Sequence, residues 1–309
     1  MVFSILPEML NTTTSHNQFV KTFSNGSSLT LKREDLIHPI VSGNKFRKLK
    51  YNLEEAKRQN KKTLLTFGGA FSNHIAATAA AGKEFGFKTI GVIRGDELIN
   101  KVDENPTLKY AKSCQMKLHF ISRIDFRGKD SEGFIQELIS EFGDFYLIPE
   151  GGTNQLAIKG CEEILGLEDS KFDFICCSAG TGGTVSGLIN SSSAHQKVLA
   201  FSALKGDFLR EEIHKFAKRE NWELLAEYHF GGYGRISEDL ITFINDFNRE
   251  FKIPLDPIYT GKMLFGITDL IKKDYFPAQS KILAVHTGGL QGILGMNKRL
   301  KQQNKPLIV

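Results

Sequence analysis

The stretch FICCSAGTGGTVSGLI, residues 174–189, sets an apolar run of strand length against a glycine-rich turn and a second apolar run of helical pattern. A strand that turns through Ala179, Gly180, Thr181, Gly182, Gly183 and Thr184 into a helix offers bare backbone N–H groups and two hydroxyls at a helix N-terminus. That is a seat for a phosphate dianion. Counted from Gly180, the third glycine of the dinucleotide fingerprint falls on Val185, and no lysine follows the glycines as a nucleotide P-loop requires. The phosphate of a compact cofactor fits better than a nucleotide; a tight turn without any ligand is the competing reading.

Short apolar runs alternate with helical patterns on both sides of this unit. Strands are expected at 63–67, 89–93, 117–121, 145–149, 172–178, 197–204, 223–230 and 282–286. Helices are expected at 73–85, 105–115, 131–142, 154–166, 206–220, 235–250, 262–272 and 289–300. This alternation predicts an α/β fold of parallel sheets covered by helices. Ligands of such sheets sit beyond the carboxyl ends of the strands, so the loops that follow strands are where function is sought.

Two further glycine turns occupy such places. In GGAFSNH (68–74), Gly68 and Gly69 turn the chain, and Ser72 and Asn73 stand at a helix N-cap. Capping alone accounts for Ser72. The crowding of Ser72, Asn73 and His74 at one strand end points further, to a carboxylate or a cofactor oxygen, with His74 as a capping or supporting group. In HTGG (286–289), the Thr287 hydroxyl suits a ring nitrogen without forcing a proton onto it, while His286 is equally a core histidine. PLDPIYTGKMLFG (254–266) puts Tyr259 just before Gly261 and a helix, with a packed core tyrosine as the alternative.

VSGNKFRKLKYNLEEAK (41–57) places Lys45 behind a Ser42-Gly43-Asn44 turn at the start of a helix. Most lysines are solvated surface groups. Phe46, Leu49, Leu53 and Ala56 form a buried stripe here, with Arg47, Lys48, Lys50, Lys57 and Arg58 expected on the wet face. Lys45 falls in the first turn, where the positive end of the helix dipole favours the neutral amine. Such an amine suits a Schiff base with a carbonyl cofactor.

Composition narrows the class. A chain of 309 residues is long enough for two lobes, and its net charge of +5 is spread along the sequence. The basic tail at 296–309 has no repeated basic motif or interleaved aromatics, so no nucleic-acid partner is expected. Residues 1–10 lack a basic leader and are broken by Pro7 and Glu8, unlike a secretory signal, and no apolar run reaches membrane-spanning length. Cys114, Cys161, Cys176 and Cys177 show no zinc-ligand spacing and read as reduced thiols. A cytoplasmic enzyme or binding protein without a metal is expected.

Taken in order, SGNKFRKLKY (42–51), GGAFSNH (68–74), AGTGGTVSG (179–187), GGYG (231–234), LDPIYTGK (255–262) and HTGG (286–289) resemble the motifs of the 1-aminocyclopropane-1-carboxylate deaminase and D-cysteine desulfhydrase family. LKREDL (31–36) is a further match. The resemblance implies fold type II of the pyridoxal 5'-phosphate enzymes, an α/β fold of two domains, each with a mainly parallel sheet covered by helices. It implies a large cofactor-binding domain of residues 1–47 and 157–309, a small domain of residues 48–156 that closes on the substrate, and a homodimer. By the same resemblance Lys45 binds the cofactor aldehyde and later moves the substrate's Cα proton. Asn73 lies beside the cofactor's phenolic oxygen, and Ser72, with Asn73 and His74, lies at a small amino-acid substrate. Ala179, Gly180, Thr181, Gly182, Gly183 and Thr184 match the phosphate cup. Tyr259 matches the tyrosine on the pyridine ring and Tyr233 a second active-site tyrosine.

Two departures bear on the reaction. The family's deaminases carry a glutamate toward the pyridine nitrogen where this sequence has Thr260, and the Thr260 and Thr287 pattern is closer to the desulfhydrases. Phe71 and Ala76 stand where the family shows glutamine and arginine. A neutral hydroxyl at the ring nitrogen makes a weaker electron sink, which elimination of a good leaving group tolerates better than ring opening does. The expected activity is therefore β-elimination from D-cysteine to pyruvate, ammonia and sulfide. The alternative is deamination of 1-aminocyclopropane-1-carboxylate to 2-oxobutyrate and ammonia. A protein that binds the cofactor without turnover is the third reading.

Overall fold

The structure, a computed structural model, describes residues 12, 14–41 and 43–309. The readings of residues 1–10 and of Ser42 lie outside them. Among the described residues ten strands form two sheets. The larger sheet contains β1 (Asn17–Thr22), β2 (Ser28–Lys32), β7 (Phe174–Ala179), β8 (Lys197–Ser202), β9 (Trp222–Leu225) and β10 (Lys281–Val285), in the order β1-β2-β10-β7-β8-β9. It is parallel apart from β1, which pairs antiparallel with β2. The smaller sheet is wholly parallel, with β3 (Thr63–Gly69), β4 (Lys88–Arg94), β5 (Lys117–Ile121) and β6 (Tyr146–Ile148) in the order β5-β4-β3-β6.

The β1–β2 hairpin was not expected. β1 holds only half-buried and exposed residues at a sheet edge, so it lacks the apolar run by which the other strands announce themselves. Its one signal is Asn25-Gly26 between the strands, where Gly26 takes a positive φ of +78°. The runs at 197–204 and 223–230 end earlier than expected. The Ser202 hydroxyl folds forward to donate to the Leu204 carbonyl, and a tight turn at Glu227–His229 follows β9.

Both faces of the larger sheet are apolar and both are covered, because alternate side chains of a strand point to opposite faces. Ile175 and Cys177 pack with Val185 and Leu188 of α6 (Gly183–Ser191) and Leu209 and Ile213 of α7 (Leu209–His214). Cys176 and Phe201 face the other way, onto α8 (Glu238–Phe251) and α9 (Thr260–Lys272). On the smaller sheet, Leu64 and Ile148 pack against α1 (Asn44–Arg58) and α2 (Asn73–Phe85). The remaining helices are α3 (Pro106–Ser113), α4 (Glu132–Phe142), α5 (Gln155–Cys161) and α10 (Gly292–Gln302). All four cysteines are buried and unpaired. Among the described residues no helix is long and apolar enough to cross a membrane.

The arrangement positions the site. The carboxyl ends of β3, β4, β5 and β6 and those of β7 and β10 all deliver residues to one cavity of about 610 Å³.

Candidate active site

Lys45 enters this cavity from the first turn of α1. The turn before it is set by Gly43, whose φ of +59° places a missing Cβ only 2.0 Å from the Thr287 carbonyl oxygen. No other residue fits there. Asn44 then donates through its backbone N–H to that carbonyl (3.4 Å) and through its side chain to Thr184 Oγ1 (2.8 Å). The start of α1 is thereby tied to the loops after β10 and β7. The Lys45 side chain is partly open to the cavity and otherwise enclosed by protein. Burial, with the nearby Lys48 ammonium, pulls its pKa from 10.5 to about 7. Its Nζ donates to Asn44 Oδ1 at 3.1 Å.

The wet face expected for α1 is corrected at two positions. Arg47 is buried and donates to both carboxylate oxygens of the buried Glu34 at 2.8 and 2.9 Å. Lys48 is buried too. Its Nζ donates to the Gly151 carbonyl (3.0 Å), Thr153 Oγ1 (2.9 Å) and Thr181 Oγ1 (3.3 Å), and burial lowers its pKa. Lys57 and Arg58 remain exposed as expected. A signal for Lys48 existed in the sequence: three residues beyond Lys45, it shares that helix face.

The loop after β7 carries Ala179, Gly180, Thr181, Gly182, Gly183 and Thr184 along the cavity wall. The N-terminus of α6 has no side-chain cap, and Gly182 takes a positive φ of +77°. Gly180 lies against Tyr259, where a Cβ would come within 3.0 Å of Cε1. Ser178, unremarked in the sequence, adds a buried hydroxyl that has no partner among the described residues.

Ser72 is an N-cap, accepting from the N–H groups of His74 and Ile75, and it also lines the cavity. The cap expected at Ser72 is present. Asn73 Oδ1 accepts from Gln291 Nε2 at 3.1 Å. His74 is buried, and its Nε2 lies 2.8 Å from Thr66 Oγ1, which donates onward to the Ile148 carbonyl. The network therefore places the proton on Nε2 and leaves Nδ1 bare and unpartnered. Burial and the charges of Lys45 and Lys48 hold this imidazole well below its ordinary pKa. His286 is the core alternative: fully buried, it meets the Pro254 carbonyl through Nε2 and accepts from Gly288 N–H.

Thr287 lines the cavity, whereas Thr260 does not. The Thr260 hydroxyl is fully buried and donates to Asp256 Oδ1 at 2.7 Å, while the same carboxylate accepts from the N–H groups of Ile258, Tyr259 and Thr260. Asp256 thus fixes the backbone that presents Tyr259. Burial and the neighbouring Tyr233 phenol raise the pKa of Tyr259 well above 10, so its hydroxyl is protonated. Tyr233, 48 % exposed, stands edge-on to Tyr259 with ring centroids 6.4 Å apart. Its GGYG loop is held from below by Lys262, whose buried Nζ donates to the carbonyls of His229 and Gly232 at 2.8 and 2.9 Å. Phe71 lines the cavity and packs on Gly295 of α10, where a Cβ would lie 2.7 Å from its ring. Ala76 is buried in α2.

The sequence profile for "Pyridoxal-phosphate dependent enzyme" matches residues 14–288. The chain belongs to the pyridoxal-phosphate dependent enzyme family. It is 31 % identical over 298 residues to the mitochondrial bifunctional D-cysteine desulfhydrase/1-aminocyclopropane-1-carboxylate deaminase of Arabidopsis thaliana, covering 87 % of this chain and 74 % of that one. Its identity to the D-cysteine desulfhydrase of Klebsiella pneumoniae is 26 %, over 89 % of this chain and 90 % of the other. A solved 1-aminocyclopropane-1-carboxylate (ACC) deaminase homologue superposes with a TM-score of 0.80 at 27 % identity, covering 93 % of both chains.

The cofactor of this pyridoxal-phosphate family fits the residues present. The glycine loop brings uncapped N–H groups, the orphaned Ser178 hydroxyl and the Lys48 ammonium to one end of the cavity, the donor set of a phosphate site. Lys45 offers an amine that is largely unprotonated above neutral pH, and Thr287 offers a neutral hydroxyl.

Proposed function

We propose that the protein is a deaminating lyase for a small amino acid, with D-cysteine β-elimination as its reaction. The carrying observation is the Lys45 amine, with a pKa near 7, standing in a cavity between a phosphate-type loop and the capped start of α2. In this reading Ser72, Asn73 and the N-terminus of α2 hold the substrate carboxylate, since a helix N-terminus favours an anion. Thr181, Gly182, Gly183, Thr184 and Lys48 would hold the cofactor phosphate, and Asn73, Tyr259 and Thr287 would hold its phenolic oxygen, its ring and its ring nitrogen.

When bound, pyridoxal phosphate supplies the electron sink for the charge left at Cα. Lys45, neutral about half the time at pH 7, takes the Cα proton. The Cβ–S bond then breaks with the electron pair leaving on sulfur, and hydrolysis gives pyruvate, ammonia and sulfide. His74, held neutral, adds no charge beside the amine. Phe71 and Tyr233, each about half exposed, line the cavity. We assign the described residues up to 47 with residues 157–309 to a large cofactor-binding domain, and residues 48–156 to a small domain that closes on the substrate. We further propose a cytoplasmic homodimer.

The preference for D-cysteine rests on Thr287. It brings a neutral hydroxyl where a carboxylate would strengthen the sink, while Thr260 is engaged by Asp256. Deamination of 1-aminocyclopropane-1-carboxylate is the second reading, supported by the paired neutral phenols of Tyr233 and Tyr259. The test is identification by mass of the keto acid released from D-cysteine, L-cysteine and 1-aminocyclopropane-1-carboxylate. Pyruvate from D-cysteine alone supports the first reading, and 2-oxobutyrate from the cyclopropane establishes the second.

A further inference from the structure

We infer that Arg94 recognises an anionic group on a substrate side chain, so that the site, beside D-cysteine, also takes amino acids bearing a carboxylate or a comparable anion beyond Cβ. The inference rests on the amino-acid reading above and names a substrate class within it.

The ends of the smaller sheet's strands bring their residues to the cavity in a fixed order. Across the sheet these are Arg123 after β5, Arg94 at the end of β4, the 69–73 turn after β3, and Glu150 after β6. Adjacent strands are about 4.8 Å apart. Arg94 therefore stands one strand spacing from the turn that carries Ser72 and Asn73, within reach of the side chain of an amino acid whose carboxylate sits on that turn. Its Nη2 lies 3.7 Å from the position a Cβ would take on Gly69, so the guanidinium lies over the bare glycine. The Phe126 ring, buried itself, backs the guanidinium at 5.8 Å from its centroid.

The other cations of the cavity have partners. Lys48, which meets the Gly151 carbonyl and the hydroxyls of Thr153 and Thr181, is assigned above to the cofactor phosphate, and Lys45 is the reactive amine. Arg123 donates twice to Glu97 Oε1, at 3.0 and 2.6 Å. Glu150, the carboxylate on the opposite edge, lies 3.4 Å from Lys129. Among the described residues Arg94 has neither an ion pair nor a side-chain hydrogen bond; it lines the cavity and is also exposed to solvent. Neither D-cysteine nor the cyclopropane amino acid, each with its own carboxylate on the α2 turn, brings an anion to it. A side-chain carboxylate does, in the two-pronged geometry that a guanidinium is shaped for.

The test uses the cofactor-loaded protein and a matched pair, aspartate and asparagine in both enantiomers, with binding read from the shift of the cofactor's visible band. In the wild type one enantiomer of aspartate binds roughly tenfold or more tighter than its amide, the span expected of a hydrogen bond to a charged group. Arg94→Gln brings this ratio to about one, and Arg123→Gln, whose arginine is already held by Glu97, keeps it. Raising the salt concentration narrows the wild-type ratio. Equal affinity of acid and amide in the wild type, or an unchanged ratio in Arg94→Gln, overturns the inference while the amino-acid reading stands. A visible band that no amino acid moves overturns both.

Discussion

The missing side chain of Gly43 and the carbonyl of Thr287 occupy the same space: a Cβ at Gly43 would stand 2.0 Å from that oxygen. Two segments more than 240 residues apart in sequence therefore meet backbone to backbone, directly before Lys45. Gly43→Ala adds both a clash and a strained positive φ. We expect it to cost more than about 2 kcal/mol of stability and to abolish cofactor capture. Urea unfolding and the visible band of the loaded protein measure the two effects, and a loss of the band without any loss of stability would contradict the packing argument.

Cofactor capture should depend on pH through Lys45. The amine is nucleophilic only when neutral, and its pKa of about 7 makes it mostly charged at pH 6 and mostly neutral at pH 8. The rate of band growth on adding pyridoxal phosphate to the cofactor-free protein should rise about tenfold over that interval and then level off. A lysine at its ordinary 10.5 would instead keep gaining to pH 10. The same depression has a stability consequence. Between pH 7 and 10.5 the unfolded chain holds the Lys45 proton and the folded chain does not, so the Lys45 contribution to stability rises with pH across that window.

Lys48 separates the phosphate from the rest of the cofactor. Lys48→Ala should weaken pyridoxal phosphate by about tenfold to a hundredfold, the value of charge-assisted hydrogen bonds, and leave pyridoxal nearly unaffected. Equilibrium titration with both compounds gives the comparison. Equal weakening of the two would place Lys48 in the scaffold and not at the phosphate.

Thr260 and Thr287 should part company. Thr260→Val removes a buried donor to Asp256 and should cost about 1–3 kcal/mol in urea unfolding with the ratio of D-cysteine to cyclopropane turnover unchanged. Thr287→Val should alter that ratio with little loss of stability, because Thr287 lines the cavity and its hydroxyl makes no hydrogen bond to another described residue. If Thr260→Val moves the ratio and Thr287→Val does not, the assignment of the ring-nitrogen partner is reversed.

Much of the site was legible because its signals are local. Strand, glycine turn and helix in 174–189 follow from apolar runs and from what glycine permits, and β5 and α2 fall on the expected 117–121 and 73–85. Lys48 and Arg47 were misplaced for the opposite reason. Charge put them on the wet face, yet each is buried because a partner arrives from elsewhere in the chain, Thr181 for one and Glu34 for the other.

The sequence by itself determined the alternation of strand and helix, the turns that need glycine, and a lysine in a first helical turn, since each depends on neighbours a few residues apart. Only the tertiary structure decided that β10 lies between β2 and β7. It alone set the contact of Asn44 with Thr184, the engagement of Thr260 by Asp256, and the position of Arg94 over Gly69. These relationships depend on which strand ends converge on the cavity, a property of the packed sheets that periodicity along the chain does not encode.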